Sequence, residues 1–437
     1  MPEGRGWLRI GVLVFVGVIL ASQEKGAKVA RLHPFTRVDG WFAIQLRQFD
    51  VEKKLMEKVP VLRVVLTGGP CGGKSTSMSH IAERMQGMGF QVYRVPETAS
   101  LLLGSGVSVQ GNTVEQLVVL QEGILRVMMV LEDAVFAIAR ASGRPAIVIA
   151  DRGTMDASAY MPAGAWTALL DEHGWTTPWL RDRRYEAVIH LVTAADGAEA
   201  FYTTENNAVR TETPELARML DRKVRDAWVG HPCLRVIDNS TDFQEKVQRV
   251  VAAVCNVVGM PAPQKVDRKF LLAQGTQPKS LPVHFQELEI DQTYLTSPAG
   301  AKARVQRRGE RGSYVYTHKM KRTTTDGKRV EVEYPLSGRE YIAMLAESDP
   351  RRTTLKKIRR VFLWKNHYFE WDTYLEPERH RHLEMLKVEV PSLQSPLDLP
   401  PFLKIESEVT GFESYRGATM SLLEDARPSG SFDVIGT

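Results

Sequence analysis

The chain has 437 residues, room for two or three domains, and its 43% hydrophobic and 25% charged content is that of an ordinary globular protein. A net charge of +5 is too small an excess to mark a nucleic-acid binder, so no nucleic acid is expected, although local basic clusters could still hold phosphates. Its three cysteines, Cys71, Cys233 and Cys255, exclude a disulfide framework and fit a reducing, cytoplasmic compartment, and no Cys/His spacing matches a zinc site.

At the amino end, Ile10–Ala21 is an apolar run behind Arg5 and Arg9. It is shorter than the ~20 residues of a membrane span. Its length and flanks match the core of a signal peptide. An N-terminal extension, or an upstream start that is not used, is the alternative. Residues 22–58 show no period, so 1–58 is taken as an apolar segment and a tether.

From Val59 the texture changes. Short β-branched runs at 61–67 (VLRVVLT), 91–95 (QVYRV), 146–150 (AIVIA), 187–191 (AVIHL) and 233–237 (CLRVI) are separated by helical patterns. Those patterns run through Lys74–Met88, Thr113–Arg140, Pro214–Val229 and Phe243–Val258. Strands alternating with helices predict an α/β domain over 59–258, with a parallel sheet covered on both faces. Pro261 and Pro263 mark 259–265 as a linker. Over 266–423 charged and apolar residues alternate, with a helical pattern only at Gly338–Ala346, which predicts an α+β, mainly antiparallel β-barrel. The tail, 424–437, has the composition of a disordered segment.

Gly68-Gly69-Pro70-Cys71-Gly72-Gly73-Lys74-Ser75, followed by Thr76, fits G-x-x-x-x-G-K-[ST] between a strand and a helix. Glycines let backbone N–H groups turn toward a polyphosphate, and the helix N-terminus adds partial positive charge. Lys74 is placed to neutralise β and γ phosphates, and Ser75 to ligate Mg²⁺. The second strand ends at Glu97 and the third at Asp151-Arg152, at the carboxyl ends where ligands of such sheets bind. Asp151 is a candidate Mg²⁺ carboxylate, or else a helix cap. Arg152 is a candidate phosphoryl ligand, and Glu97 a general base, an acceptor-hydroxyl ligand or a cap. Arg218, Arg222 and Arg225 share a helix face that could close over phosphates as a lid, or be solvated beside Glu215 and Asp221. Asn239 follows the last strand, where contacts to a nucleotide base are expected.

In the second region Arg304, Gln306 and Arg308 alternate on one face of a strand, as do Lys319 and Lys321, and Lys387 and Glu389. Glu287, Glu289 and Asp291 do likewise, and Arg359, Arg360, Lys365, Glu370 and Asp372 add further charge. If these faces turn inward, cations Arg304, Arg308, Lys319, Lys321, Arg359 and Lys387 would hold phosphate, with Glu287 and Glu289 holding Mg²⁺ or Mn²⁺ between them. Otherwise they meet water on an open sheet.

The segments GGPCGGKST, VPETA, IVIADRG and HPCLRVIDNS together resemble the AAA-type P-loop domain shared by the bacterial NadR ribosylnicotinamide kinase and the TRPL translocation defect proteins. ELEID, similar to an ExExK opening strand, with RVQRRG, the lysine strand, YFEWDTY and MLKVEV, resembles a CYTH triphosphate-tunnel barrel. The pairing is characteristic of the TRPL translocation defect family and covers about Val61–Leu422. That resemblance implies GTP binding, and binding of anionic phospholipid headgroups, phosphatidic acid and phosphoinositides. It also implies a role in membrane-protein trafficking, with peripheral membrane association. Asp291 stands where a CYTH hydrolase has lysine, and Gln306 interrupts Arg-x-Arg, which speaks against barrel catalysis but not against phosphate binding. Two alternatives stay open: a small-molecule kinase using ATP, and a triphosphate-processing barrel regulated by the P-loop domain.

Overall fold

The computed structural model describes residues 59–107, 113–162, 164–202, 213–259, 266–273, 281–297, 301–323 and 329–426. The Ile10–Ala21 run and its tether, the linker from residue 260 and the tail from residue 427 lie outside the described residues.

The first domain alternates strand and helix as the sequence predicts. Its elements are β1 (Val61–Thr67), α1 (Lys74–Gly87), β2 (Gln91–Val95), α2 (Thr98–Gly104), α3 (Val114–Ala141), β3 (Ala146–Asp151), α4 (Ala165–His173), β4 (Ala187–Leu191), α5 (Pro214–Ala227), β5 (Leu234–Ile237) and α6 (Phe243–Val257). The strands form one parallel sheet in the order β2-β3-β1-β4-β5. Alternate residues of β1 feed two cores. Val64 and Leu66 pack with Ile81 and Met85 of α1 and with Val250 and Val254 of α6. Val65 packs with Leu125 of α3 and with Val224 and Trp228 at the end of α5. Each fully buried aliphatic side chain stabilises by about 1.5–3 kcal/mol, so a strand that is apolar on both faces has nowhere to sit but between two helical layers. The short helices α2 and α4 escape the sequence reading because each spans too few turns to show a period.

The second domain is antiparallel. Its strands are β6 (Val266–Leu272), β7 (Phe285–Leu295), β8 (Ala301–Glu310), β9 (Ser313–Thr323), β10 (Arg329–Leu336), β11 (Leu355–Trp364), β12 (His367–Glu376), β13 (Glu384–Val390) and β14 (Ile405–Glu408), with α7 (Gly338–Leu345) between β10 and β11. They form one nine-stranded sheet in the order β10-β9-β8-β7-β11-β12-β13-β6-β14. The expected barrel is not closed. The edge strands β10 and β14 do not pair with each other.

The domains meet at a buried ionic joint. Arg181 and Asp182 lie in the segment before β4, fully buried and paired at 2.7 Å. Arg308 of β8 reaches Asp182 at 2.9 Å and donates to the carbonyl of Gly230. Arg181 donates to the carbonyl of Val229 at 2.8 Å and to Gln286 of β7. Val229, Leu288 and Val361 form an apolar cluster beside these pairs. Arg225 of α5 adds a bond to Asn366, in the β11–β12 turn, at 3.1 Å.

Candidate functional site

β1 runs into the phosphate loop because its glycines allow what other residues do not. At Gly68, φ is +129°, and a Cβ would lie 2.0 Å from the carbonyl oxygen of Leu191. Gly73 takes φ +91° and opens α1. Since β1 pairs with β3 so that Leu66 lies opposite Asp151, the end of β3 arrives beside the loop. Arg152 there is itself left-handed, with φ +76°, a backbone geometry that costs a non-glycine residue and is concentrated at functional sites.

Two cations converge on the loop. Lys74 Nζ donates to the carbonyls of Gly68 and Gly69 at 3.1 and 3.0 Å. Arg152 donates to the Gly68 carbonyl at 2.9 Å and to Glu97 at 3.0 Å. Burial, and then the neighbouring Arg152, lower Lys74 from its ordinary value to about 8. Burial works against the Arg152 charge too, but Tyr160, Asp156 and Glu97 outweigh it and keep the guanidinium protonated. Glu97 precedes α2, accepts from Ser100 at 2.6 Å, and is held below the ordinary carboxylate value because Arg152 and Ser100 outweigh its burial.

Asp151 is not a helix cap. Its Oδ1 is buried with no hydrogen-bond partner among the described residues. Burial raises its carboxyl above the ordinary value against the pull of Lys74. An orphaned carboxylate oxygen beside a phosphate loop, with the exposed Ser75 hydroxyl opening α1, is a donor set that fits Mg²⁺. That ion takes one or two protein oxygens and completes its shell with phosphate and water. Among the described residues no group of three or more His, Cys, Asp or Glu side chains could hold a metal alone.

The sequence reading set Asp221 beside the arginines of a solvated helix and passed over Asp156; both are buried and hold this site in place. Asp221 of α5 accepts from the Gly69 amide at 2.7 Å and from the Thr193 amide at 3.1 Å, and lies 3.2 Å from His190. A signal was present: Ala217, Asp221, Val224 and Trp228 form a buried stripe at helical spacing, with one carboxylate in it. Asp156 accepts from Thr67 at 2.8 Å and from the Trp228 indole at 2.6 Å. Asn239 is used structurally. Its amide donates to the carbonyls of Thr193 and Asp196, and its oxygen accepts from Lys246 at 2.6 Å, so both its donors are committed within the fold. The three arginines of α5 do not act as one face. Arg218 donates to the Ala195 carbonyl and to Glu215, Arg222 is exposed, and Arg225 belongs to the domain joint.

In the second domain the register separates the expected ligands. Arg360 lies opposite Glu287, and Arg359 opposite Leu288, so Glu287 and Glu289 point away from the face that carries Arg359. Glu287 pairs with Arg360 at 3.0 Å and Glu289 accepts from Tyr314 at 2.7 Å. These carboxylates therefore do not share a metal site with the cations. The carboxylate and lysine that do share the cationic face come from β6: Asp267 and Lys269, with Lys269 opposite Lys387. Their signal was the alternation in VDRKFLL.

That face carries Lys269, Arg304, Lys319, Lys357, Arg359 and Lys387 with Glu370 and Asp372. Most of its cations are already paired. Asp372 takes Lys357 and Arg359 at 2.6 Å each, Glu370 takes Arg359 at 2.7 Å and Lys387 at 2.8 Å, and Glu333 takes Lys319 at 2.9 Å. Arg304 is half-buried, with a buried Nε that has no partner among the described residues. Arg308 shares this face but is consumed by Asp182 in the domain joint, so it is not placed to bind a phosphate. Lys321 is exposed at the far end of β9.

Residues 63–246 match the family model of an AAA domain. The span runs from β1 into α6 and contains the whole phosphate loop. Solved structures similar to the chain include the inorganic triphosphatase NE1496, at 22% identity and a TM-score of 0.27, covering 37% of this chain and 95% of that one. Another is the PH1012 protein from Pyrococcus horikoshii OT3, at 17% identity and a TM-score of 0.22, covering 29% of this chain and 78% of that one. A third is a conserved hypothetical protein from Pyrococcus furiosus, at 18% identity and a TM-score of 0.23, covering 30% and 81%. Comparison with curated proteins gives no match.

Proposed function

We propose that the chain is a Mg²⁺-dependent nucleotide-binding protein that takes GTP or ATP on Gly68–Ser75, and whose second domain binds a phosphorylated ligand. The observation that carries the first part is the convergence of Lys74 and Arg152 on the Gly68 carbonyl, beside the unpartnered Asp151 oxygen. A polyphosphate entering the loop exchanges the carbonyl contacts of Lys74 for phosphate oxygens, where its charge does more. When bound there, Mg²⁺ would supply positive charge to offset that of the phosphate oxygens. Ser75 and Asp151 are the residues that would hold it. Arg152, held by Glu97 rather than free to swing, would be the residue to meet a terminal phosphate.

The second part rests on the ionic face of the nine-stranded sheet, where Arg304 has a buried Nε with no partner among the described residues and Lys269 donates only to the Tyr415 carbonyl among them. A polyphosphate or a phosphorylated lipid headgroup has the same chemistry there. Anionic phospholipid, peripheral membrane association and a role in trafficking are the forms that the family resemblance favours. The test is titration of the full chain with Mg-ATP and Mg-GTP, and separately with tripolyphosphate and with vesicles containing phosphatidic acid or phosphoinositide. Nucleotide binding lost in Lys74→Ala, with tripolyphosphate or vesicle binding retained, supports two separate sites. Wild-type nucleotide affinity in that variant sinks the loop assignment.

Asp151 favours a second reading. A carboxylate raised by burial, with an oxygen that has no partner among the described residues, is suited to accept a proton from an acceptor hydroxyl. A phosphorylated product that forms only when a small-molecule acceptor is supplied would make this domain a kinase.

A further inference from the structure

Between α4 and β4 the chain carries an aromatic cluster that the phosphate loop does not use. Trp175, Thr176, Trp179 and Arg183 of the first domain face Ser313 and Tyr314 of β9 across a cavity of about 400 Å³. That volume lies within the range of small-molecule sites, about 300–1,000 Å³.

Each ring is braced from outside the cavity. His173 stacks on Trp175 with 4.3 Å between centroids, and its Nε2 lies 3.0 Å from Glu122. The Arg184 guanidinium sits 5.7 Å from the Trp179 ring and is itself fixed by Glu132 and Asp133 at 2.9 and 2.8 Å. Arg307 covers Tyr314 at 4.2 Å, and the Tyr314 hydroxyl donates to Glu289 at 2.7 Å. Ser313 donates to Thr176 at 2.8 Å and ties the two walls together. Three aromatic side chains held in this way are preorganised, which cuts the ordering cost of binding.

What the cluster offers is unspent. Neither the Trp175 nor the Trp179 indole N–H has a partner among the described residues, and Arg183 is exposed with no ion pair among them. Arg184 and Arg307 are neutralised by Glu132, Asp133 and Asp291, whereas Arg183 lines the cavity without an ion pair among the described residues and opposes an ammonium ligand, so this is not a cation cage. A purely apolar ligand would leave two N–H donors and a guanidinium without acceptors.

We propose that this cleft is a second ligand site, for a nucleoside monophosphate or an aromatic anion of that kind. The base stacks among Trp175, Trp179 and Tyr314, with its acceptors toward the indole N–H groups, and the phosphate meets Arg183. The site contains no residue of Gly68–Ser75 and does not depend on the reading of that loop. Because its walls come from both domains, its ligand stabilises their docked arrangement.

The test uses the full chain carrying Lys74→Ala, to weaken the loop, without Mg²⁺. The probes are adenosine and guanosine monophosphates, the free nucleosides and inorganic phosphate, read by tryptophan fluorescence and calorimetry. Saturable monophosphate binding is expected to persist. Tyr314→Ala weakens it about tenfold or more by loss of a stacking partner. Arg183→Ala, at an exposed position that leaves folding intact, weakens monophosphate binding but not nucleoside binding. The proposal is overturned by no saturable binding, by binding that neither substitution changes, or by inorganic phosphate binding as tightly as the monophosphates.

Discussion

Asp221 Oδ1 accepts the Gly69 amide at 2.7 Å, so a carboxylate from α5 holds the opening turn of the phosphate loop. The same oxygen takes the Thr193 amide, and the other lies by His190. Loop shape is thus tied to a helix 152 residues away in sequence.

Asp221→Ala leaves two buried N–H donors unsatisfied and removes the partner of His190. A loss of about 3–5 kcal/mol is expected, together with weaker nucleotide binding. Asp221→Asn keeps one acceptor and should lose less. Burial opposes the Asp221 charge, but His190 and the bonds from Gly69 and Thr193 hold its carboxyl below the ordinary value of 3.8. Its contribution is therefore present above that pH and lost as acid protonates the folded state. Urea denaturation of wild type and both variants at pH 7 and pH 3 checks the sign. Equal stability of Asp221→Ala and wild type at pH 7 would remove Asp221 from this role.

Lys74 offers a test through protons. Its ammonium is lowered to about 8 in the free protein by burial and by Arg152. Phosphate oxygens raise it again on binding, so above pH 8 nucleotide binding must take up a proton. Affinity should fall by up to about tenfold per pH unit over that range. Calorimetry in buffers of different ionisation enthalpy measures the uptake directly. Lys74→Ala should bind more weakly and show no such uptake; uptake that persists would assign the proton to another group.

Much of the first domain could be read from the chain because its signals are local. A strand, a glycine loop and a helix lie within Val61–Gly87, and Asp151 ends a buried apolar run. The second domain was read less well because alternation fixes which residues share a face of one strand, not which strands share a face. ELEID and VDRKFLL both alternate charge, yet only the ladder shows Asp267 and Lys269 beside Lys387 while Glu287 and Glu289 face away. Closure of the sheet was equally beyond reach, since it depends on whether the two distant edge strands meet. Asn239 and Arg308 were misread for one reason. Their partners, Lys246 and Asp182, are brought up by tertiary structure.

On the ionic face, Arg304 and Asp372 should behave in opposite ways. Asp372 is 4% exposed and held well below the ordinary carboxylate value, since Arg359 and Lys357 outweigh its burial. Asp372→Ala removes the acid partner of Lys357 and one of the two acid partners of Arg359, and should cost about 3–5 kcal/mol. Arg304→Ala removes a side chain whose Nε has no partner among the described residues, so the fold should survive while tripolyphosphate binding falls about tenfold, the loss of one charge-assisted contact. Unchanged binding by a folded Arg304→Ala protein would move the ligand off this face.

His231 makes the fold acid-sensitive between its ordinary value of 6.5 and about 4. Its Nε2 lies 3.0 Å from the Tyr185 carbonyl and its Nδ1 takes the Cys233 amide at 3.1 Å, so the neutral ring is satisfied on both sides. Burial lowers it from 6.5 to about 4 against the pull of Asp182. The unfolded chain therefore gains a proton below pH 6.5 that the folded chain refuses until about pH 4. Stability should fall by about 2 kcal/mol between pH 6.5 and pH 5, at about 1.4 kcal/mol per pH unit. His231→Gln, which can keep an N–H toward Tyr185 and an acceptor toward Cys233, should lose that slope whatever its stability at pH 7. Because His231 follows Val229 and Gly230, whose carbonyls receive Arg181 and Arg308, charging the ring adds a further cation beside the Arg181, Arg308 and Asp182 group. Urea midpoints measured across pH 4–7 decide it: a slope that survives His231→Gln would place the titrating group elsewhere.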